Sequence, residues 1–204
     1  MRIVLPAVEA RRILIWTQRA LFTCAVLMLG YYGFVVVDAW TFQARERRQL
    51  DVLRVGRIVS PASPKELLPA APGGIVGRIE IVRLGISVMV VEGTGAAALS
   101  HAAGHISGSA LPGRPGNIGI SAHRDTFFRP LRNIRQGDVI TLTTPLGEYR
   151  YRVVSTRIVG PSDIEVLEPG ESEVLTLVTC YPFYFVGPAP RRFIVRAERL
   201  GDPS

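Results

Sequence analysis

Hydrophobic and polar positions divide the chain into three stretches of different period. In the first, residues 20–37 read ALFTCAVLMLGYYGFVVV, eighteen positions without a charge. A helix of that length is about 27 Å long, enough to cross the hydrocarbon core of a bilayer. Residues 45–57 are then charged and compatible with helix, and SPASPKELLPAAPGG (60–74) reads as an extended, proline-stiffened spacer. From about Gly74 the period becomes two. Ile79 and Ile81 alternate with Arg78 and Glu80, and Tyr149, Tyr151 and Val153 alternate with Arg150 and Arg152. Residues 87–91 form a continuous apolar run, suited to a strand covered on both faces. Pro145-Leu146-Gly147 separates strand 139–144 from the one starting at Tyr149, which predicts a hairpin. Residues 118–121, 173–180 and 192–199 give further strands. Only 94–101 and a turn around 127–132 read as helical. Short strands at close spacing with little helix predict an all-β domain, a closed or nearly closed antiparallel barrel.

The apolar stretch admits three explanations. A cleaved signal peptide calls for a small-x-small site, which Asp38-Ala39-Trp40-Thr41-Phe42 does not offer. A buried core helix would leave the charged and proline-rich residues after it unexplained. An uncleaved signal anchor fits best, with Trp16, Tyr31, Tyr32 and Trp40 near its ends as headgroup-level aromatics. Arg2, Arg11, Arg12 and Arg19 precede it and Arg45, Arg47 and Arg48 follow, a slight tilt toward the N-terminus inside. The expected layout is a cytoplasmic segment (1–19), a transmembrane anchor (20–37), a charged segment and spacer (38–73), and one extracytoplasmic barrel (74–204).

Composition narrows the function classes. The 204 residues carry a net charge of +7, and 48% are apolar, which excludes a disordered chain. Residues 1–56 hold eight basic and four acidic residues, so the positive charge is shared between anchor and barrel. No basic stripe interleaved with aromatics is visible, which argues against nucleic-acid binding. Two cysteines exclude a disulfide scaffold and a four-thiolate zinc site. Glu165, Glu168, Glu171 and Glu173 read as a solvated acidic loop, and no metal or cofactor is expected.

Candidate chemistry is sparse. Outside the anchor there is one cysteine, Cys180, and the chain has three histidines, His101, His105 and His123. Cys24 lies in the apolar run and reads as a small embedded apolar residue. Cys180 ends the strand VLTLVTC, and Pro182 cannot extend a ladder, so the thiol sits at a strand mouth. If Phe193, Val195 and Ala197 face the core, Arg192 faces outward, and pairing of the two strands returns it beside Cys180. His123 likewise follows a short strand. Asp125 is expected to cap the turn 126–131.

The segments GHISGSALPGRPGNIGISAHRDTFFRPLRNI and TLVTCYPF…GPAPRRFIVRA resemble the sortase transpeptidases, most closely class D, over roughly residues 74–200. The resemblance implies an eight-stranded sortase β-barrel, with His123, Cys180 and Arg192 on the family's catalytic positions. Thr179 matches the threonine before the family's cysteine and is expected to position substrate. Ala122 stands where family members more often have glycine, and His101 and His105 match nothing catalytic. The implied reaction cleaves an LPxTG-type sorting signal after its threonine and transfers the acyl group to an envelope amine, such as a peptidoglycan precursor.

The chemistry is self-consistent. An ordinary thiol is only a few per cent thiolate at neutral pH, so a neighbouring cation helps it attack a peptide carbonyl. A fixed guanidinium stabilises the developing oxyanion, and an imidazole protonates the departing amine. The expected partners are therefore sorting-signal proteins, an amine acceptor and the membrane. Two alternatives stand beside this reading: a thiol hydrolase or peptidoglycan-modifying enzyme, and a non-catalytic, membrane-tethered peptide-binding barrel. The cysteine-arginine sequence of L,D-transpeptidases is not matched, because Tyr181 follows Cys180.

Overall fold

The computed structural model describes residues 7–59, 71–185 and 187–201, so residues 60–70 of the proline-rich run lie outside the described residues. The chain forms two compact units, residues 1–41 and 42–204. Helix α1 (Ala7–Val59) contributes to both. Its portion within the first unit exposes Leu21, Phe22, Leu27, Met28 and Phe34, and this is a helix long and apolar enough to cross a membrane.

The second unit is a closed barrel of eight strands among the described residues: β1 (Ile75–Ile81), β2 (Ile86–Glu92), β3 (Ala103–His105), β4 (Gly116–Ser121), β5 (Val139–Thr143), β6 (Glu148–Val159), β7 (Glu173–Tyr181) and β8 (Arg191–Arg199). Around the barrel they run β1-β2-β3-β4-β7-β8-β6-β5, with β5 closing on β1. The expected hairpin is β5–β6, paired from Thr143↔Glu148 to Val139↔Arg152. Helix α2 (Ala96–His101) falls in the stretch expected to be helical, and the turn near 127–132 becomes a 3-10 turn, Arg129–Asn133.

The barrel differs from an antiparallel one in two pairings. β2 pairs with β3, and β4 with β7, in parallel. β3 was not legible, since a three-residue strand has no measurable period. It fits because Gly104 approaches the backbone closely: a Cβ there would lie 2.2 Å from the Gly93 carbonyl oxygen.

Alternation does its expected work in the core. Ile79, Val88, Val90, Ile118, Ile120, Leu142, Tyr151, Leu175, Leu177 and Val195 fill the interior. On β2 the outward Met89 and Val91 are buried too, as the unbroken apolar run predicted. Part of that cover is α1. The Gln43 side chain accepts from the Met89 N–H at 2.8 Å and donates to the His101 carbonyl at 2.6 Å. Arg47 donates to the Ser87 hydroxyl, and Leu50 is fully buried. The charged stretch is thus helix over residues 45–59, and Gln43, Arg47 and Leu50 make it part of the barrel unit. Leu50→Ala is expected to destabilise this unit by about 2–4 kcal/mol, the usual result of emptying a buried leucine site. Chemical denaturation of the full chain against the parent would measure it.

Buried polar groups are tied into the wall. His105 Nδ1 lies 2.7 Å from Glu92 Oε2, and Ser107 donates to the other Glu92 oxygen at 2.7 Å. His105 Nε2 faces the Ala110 carbonyl at 3.0 Å and Ser109 Oγ at 2.9 Å. A carbonyl only accepts, so Nε2 carries a proton, and His105 is a brace for the β3–β4 connection. Glu173 departs from the solvated-loop expectation. It stands on β7, accepts from the buried Tyr151 hydroxyl and the Gly113 N–H, and faces Arg199 at 3.5 Å. Burial, reinforced by the Glu173 carboxylate, pushes the Tyr151 phenol far up.

Near the start of β5, Arg83 forks onto both oxygens of Asp138, and the Arg135 N–H donates to one of them at 2.8 Å. The Arg83 hydrogen bonds, helped by that N–H, hold the Asp138 carboxyl below its ordinary value of 3.8, against a smaller opposing effect of burial. A depressed native value means this stabilisation is complete above the ordinary carboxyl range and is lost as pH falls through the native value. Asp138→Asn should therefore cost about 1 kcal/mol at neutral pH. The same substitution should flatten the fall in stability below about pH 4, measurable by urea denaturation at stepped pH.

Candidate active site

Topology brings the candidate residues to one end of the barrel. β4 and β7 run parallel, with Ser121 opposite Val178. The chain holds that register one step further: the Ala122 N–H donates to the Val178 carbonyl at 3.3 Å, and the Thr179 hydroxyl donates to the Ala122 carbonyl at 2.8 Å. Continuing the register sets His123 level with Cys180. On the other side β7 and β8 are antiparallel, and Cys180 is the ladder partner of Arg192. β7 is thus the central strand of three, with the imidazole-bearing chain on one flank and the guanidinium-bearing strand on the other.

Strand alternation decides which way each side chain points. Leu175 and Leu177 enter the core, so Thr179 shares the inner parity and is buried, while Thr176, Val178 and Cys180 share the outer one. The Cys180 thiol is half-buried and free, and His123 is exposed. Cys180, His123 and Asp125 line one groove of about 230 Å³, together with Arg124 and Gly187-Pro188-Ala189 of the β7–β8 connection. Asp125 does not cap the following turn as expected. The 3-10 turn Arg129–Asn133 has Phe128 at its N-cap and no side-chain cap, and its neighbouring bonds are main-chain ones, such as the Phe128 N–H to the His123 carbonyl.

Arg192 is placed differently from the other two. Its half-buried guanidinium donates from Nη1 to the carbonyls of Ala189 at 3.2 Å and Arg191 at 3.1 Å, and it is not among the groove-lining side chains. The strand register that the sequence pattern anticipated is present. The guanidinium itself is engaged with the β7–β8 connection.

A larger hollow of about 370 Å³ lies on the same outer face, over Thr176, Ile194 and Arg196. Its far wall is the β6–β7 connection, including Asp163, Glu165 and Val166. Asn117 of β4 anchors that wall, donating to the Val166 carbonyl at 2.9 Å and accepting from Thr176 at 2.7 Å. Thr176 is four residues from Cys180 along β7, about 13 Å at the rise of a strand. Two contributions escaped the sequence reading. Asn117 carried no signal beyond being polar within an apolar strand. Arg124 was marked only by standing next to His123.

A closed eight-stranded barrel with an outward thiol at a strand mouth, sharing a groove with an imidazole, defines a class of thiol-dependent acyl-transfer enzymes. The Sortase domain matches residues 79–200, and the chain belongs to the sortase family of cysteine transpeptidases. It is 32% identical over 184 residues to Sortase D of Bacillus subtilis (strain 168), covering 86% of this chain and 93% of that one. Among solved structures it is similar to a Clostridium perfringens Sortase D5 transpeptidase (TM-score 0.60, 28% identity, 65% of this chain and 82% of that one). It is also similar to a lid mutant of Sortase A from Corynebacterium diphtheriae (TM-score 0.60, 29% identity, 65% and 74%).

Proposed function

We propose that this transpeptidase is held at the cell membrane by residues 20–37 and cleaves an LPxTG-type C-terminal sorting signal between threonine and glycine. The domain layout we assign is a cytoplasmic segment to residue 19, the anchor, a segment to 73 that packs with the barrel unit from Phe42 on, and an extracytoplasmic catalytic barrel from 74. The observation that carries the reading is the shared groove of Cys180 and His123, at the end of a strand whose ladder partner is Arg192.

In the proposed reaction Cys180 Sγ attacks the threonine carbonyl carbon. Arg192 balances the oxyanion once its guanidinium turns from the Ala189 carbonyl toward the groove. The C–N bond then breaks, and His123 gives its proton to the departing glycine amine, leaving a Cys180 thioester. An incoming amine of the envelope, such as a peptidoglycan precursor, attacks the thioester and loses its proton to His123. The Cys180 thiolate departs and the enzyme is restored. Thr179 acts through its hydrogen bond to Ala122, keeping β4 and β7 in register so that the thiol and imidazole stay level.

An extended substrate with its scissile carbonyl at Cys180, lying along the outer face of β7, places its fourth residue upstream near the hollow over Thr176. The leucine of a four-residue signal then lies three residue rises from the cut, about 10 Å, on the Cys180 side of that hollow. Because such a substrate carries its own membrane span, tethering both partners raises their effective concentration. The test is to incubate the full chain in detergent with a panel of sorting-signal peptides, with and without amines, and to follow products by mass spectrometry. The expected results are a thioester on Cys180 and an amine-dependent transfer product. Hydrolysis alone, or no adduct across the panel, would overturn the proposal.

A further inference from the structure

We infer that Arg124 is a positioning residue of the transpeptidase site, clamping the β7–β8 connection so that it forms a fixed wall of the groove between Cys180 and His123. The inference rests on the proposed reading of that groove as the site where peptide meets thiol. Arg124 directly follows His123 and is half-buried in the groove lining. Its Nη2 carries two N–H donors, and both are spent on one segment: the Phe185 carbonyl at 2.6 Å and the Gly187 carbonyl at 2.9 Å. The guanidinium also lies 5.8 Å from the centre of the Phe185 ring. One residue therefore ties the peptide that carries His123 to the wall facing it.

Among the described residues, buried Arg124 Nη1 has no hydrogen-bond partner, which offsets part of what the two satisfied bonds contribute. The side chain fixes the span between two loops. Neighbouring contacts act on the same connection. Arg132 stacks on Tyr184 at 5.4 Å, and Arg192 holds the Ala189 carbonyl from the β8 side. Arg124 alone among them both lines the groove and adjoins the imidazole. With Nη2 saturated by main-chain oxygens, its action on the reaction runs through the wall it holds.

The experiment uses the full chain with Arg124→Gln and Arg124→Lys, read by steady-state kinetics on a sorting-signal peptide and by amide hydrogen exchange over the β7–β8 connection. Arg124→Gln should raise KM for the peptide about 10- to 100-fold, the consequence of losing charge-assisted bonds that preorganise a binding wall. It should reduce kcat by a smaller factor, leave Tm within a few degrees, and speed exchange in the connection. Arg124→Lys, a point charge that reaches one carbonyl, should recover part of the KM effect. Unchanged exchange in the connection, or a large fall in Tm with unaltered KM, would overturn the inference. If the parent enzyme turns over no sorting-signal peptide while exchange still depends on Arg124, the substrate reading fails and the clamp stands.

Discussion

Replacing Cys180 by alanine is expected to abolish both thioester formation and amine transfer. The physical reason is that no second nucleophile can take over: the other cysteine, Cys24, lies in the apolar stretch of the first unit, and among the described residues no other thiol lines the groove. Without sulfur there is no covalent acyl intermediate to divide one difficult step into two easier ones, and the loss should reach about 10⁴-fold or more. Cys180→Ser is the stricter comparison, because it keeps shape and polarity while offering a far weaker nucleophile. Intact-mass analysis after incubation with peptide, alongside product formation with an added amine, measures both. Transfer by Cys180→Ala at more than about 1% of the parent rate would remove Cys180 from the mechanism. Since Cys180 is half-buried at the end of a strand, neither change empties a core site, and a preserved denaturation midpoint would show that the fold is intact.

Arg192 offers the second large effect and a sharper choice. If its guanidinium balances the oxyanion, Arg192→Ala should lower kcat for acylation by about 10²–10³, the usual loss on removing one such donor. Arg192→Lys keeps a charge without the planar fork and should restore only part of the rate. The opposing explanation comes from its Nη1 bond to the Ala189 carbonyl, which makes Arg192 a second brace for the β7–β8 connection. A brace would show a raised KM with kcat little altered, as expected for Arg124→Gln. Single-turnover acylation at saturating peptide separates these outcomes, and a loss of less than about fivefold in the chemical step would assign Arg192 to the wall rather than to the oxyanion.

The two arginines together suggest how the groove works. The β7–β8 connection is held by two guanidiniums, one from Arg124 in the segment after β4 and one from Arg192 on β8. Arg124 has no other visible task, whereas Arg192 has Cys180 as its ladder partner. In the proposed mechanism, a peptide carbonyl that reaches the thiol would compete with the Ala189 carbonyl for the same guanidinium. That mechanism would link substrate arrival to loosening of that end of the connection by hydrogen-bond competition.

Much of the barrel was legible because alternation has a strict period. β1, β6 and β8 were marked by side chains that must choose between core and surface, β2 by an unbroken apolar run covered on both faces, and the β5–β6 hairpin by Pro145-Leu146-Gly147. The same parity put Arg192 on the outer face with Ile194, and an antiparallel return across a short connection left little freedom over its ladder partner. The apolar run of the first unit was equally plain, since eighteen uncharged residues admit few explanations.

What local pattern could not hold was the order of strands around the barrel. Nothing in the residues 116–121 says that β4 lies parallel to β7, yet that pairing alone brings His123 level with Cys180, more than fifty residues away. Resemblance to known enzymes named His123; chain geometry explains it. Likewise the docking of Gln43 and Leu50, the burial of Glu173 against Tyr151, and the grip of Arg124 on Phe185 and Gly187 depend on groups that meet only after closure. Amino-acid order by itself determined which residues of the longer strands face inward and that seven of the eight strands exist, because those choices are settled by water and by neighbours one or two positions away; the three-residue β3 needed its partners. Tertiary structure decided which strand ends share a row and which carbonyls a guanidinium can reach, because long-range pairing is chosen by the whole core at once.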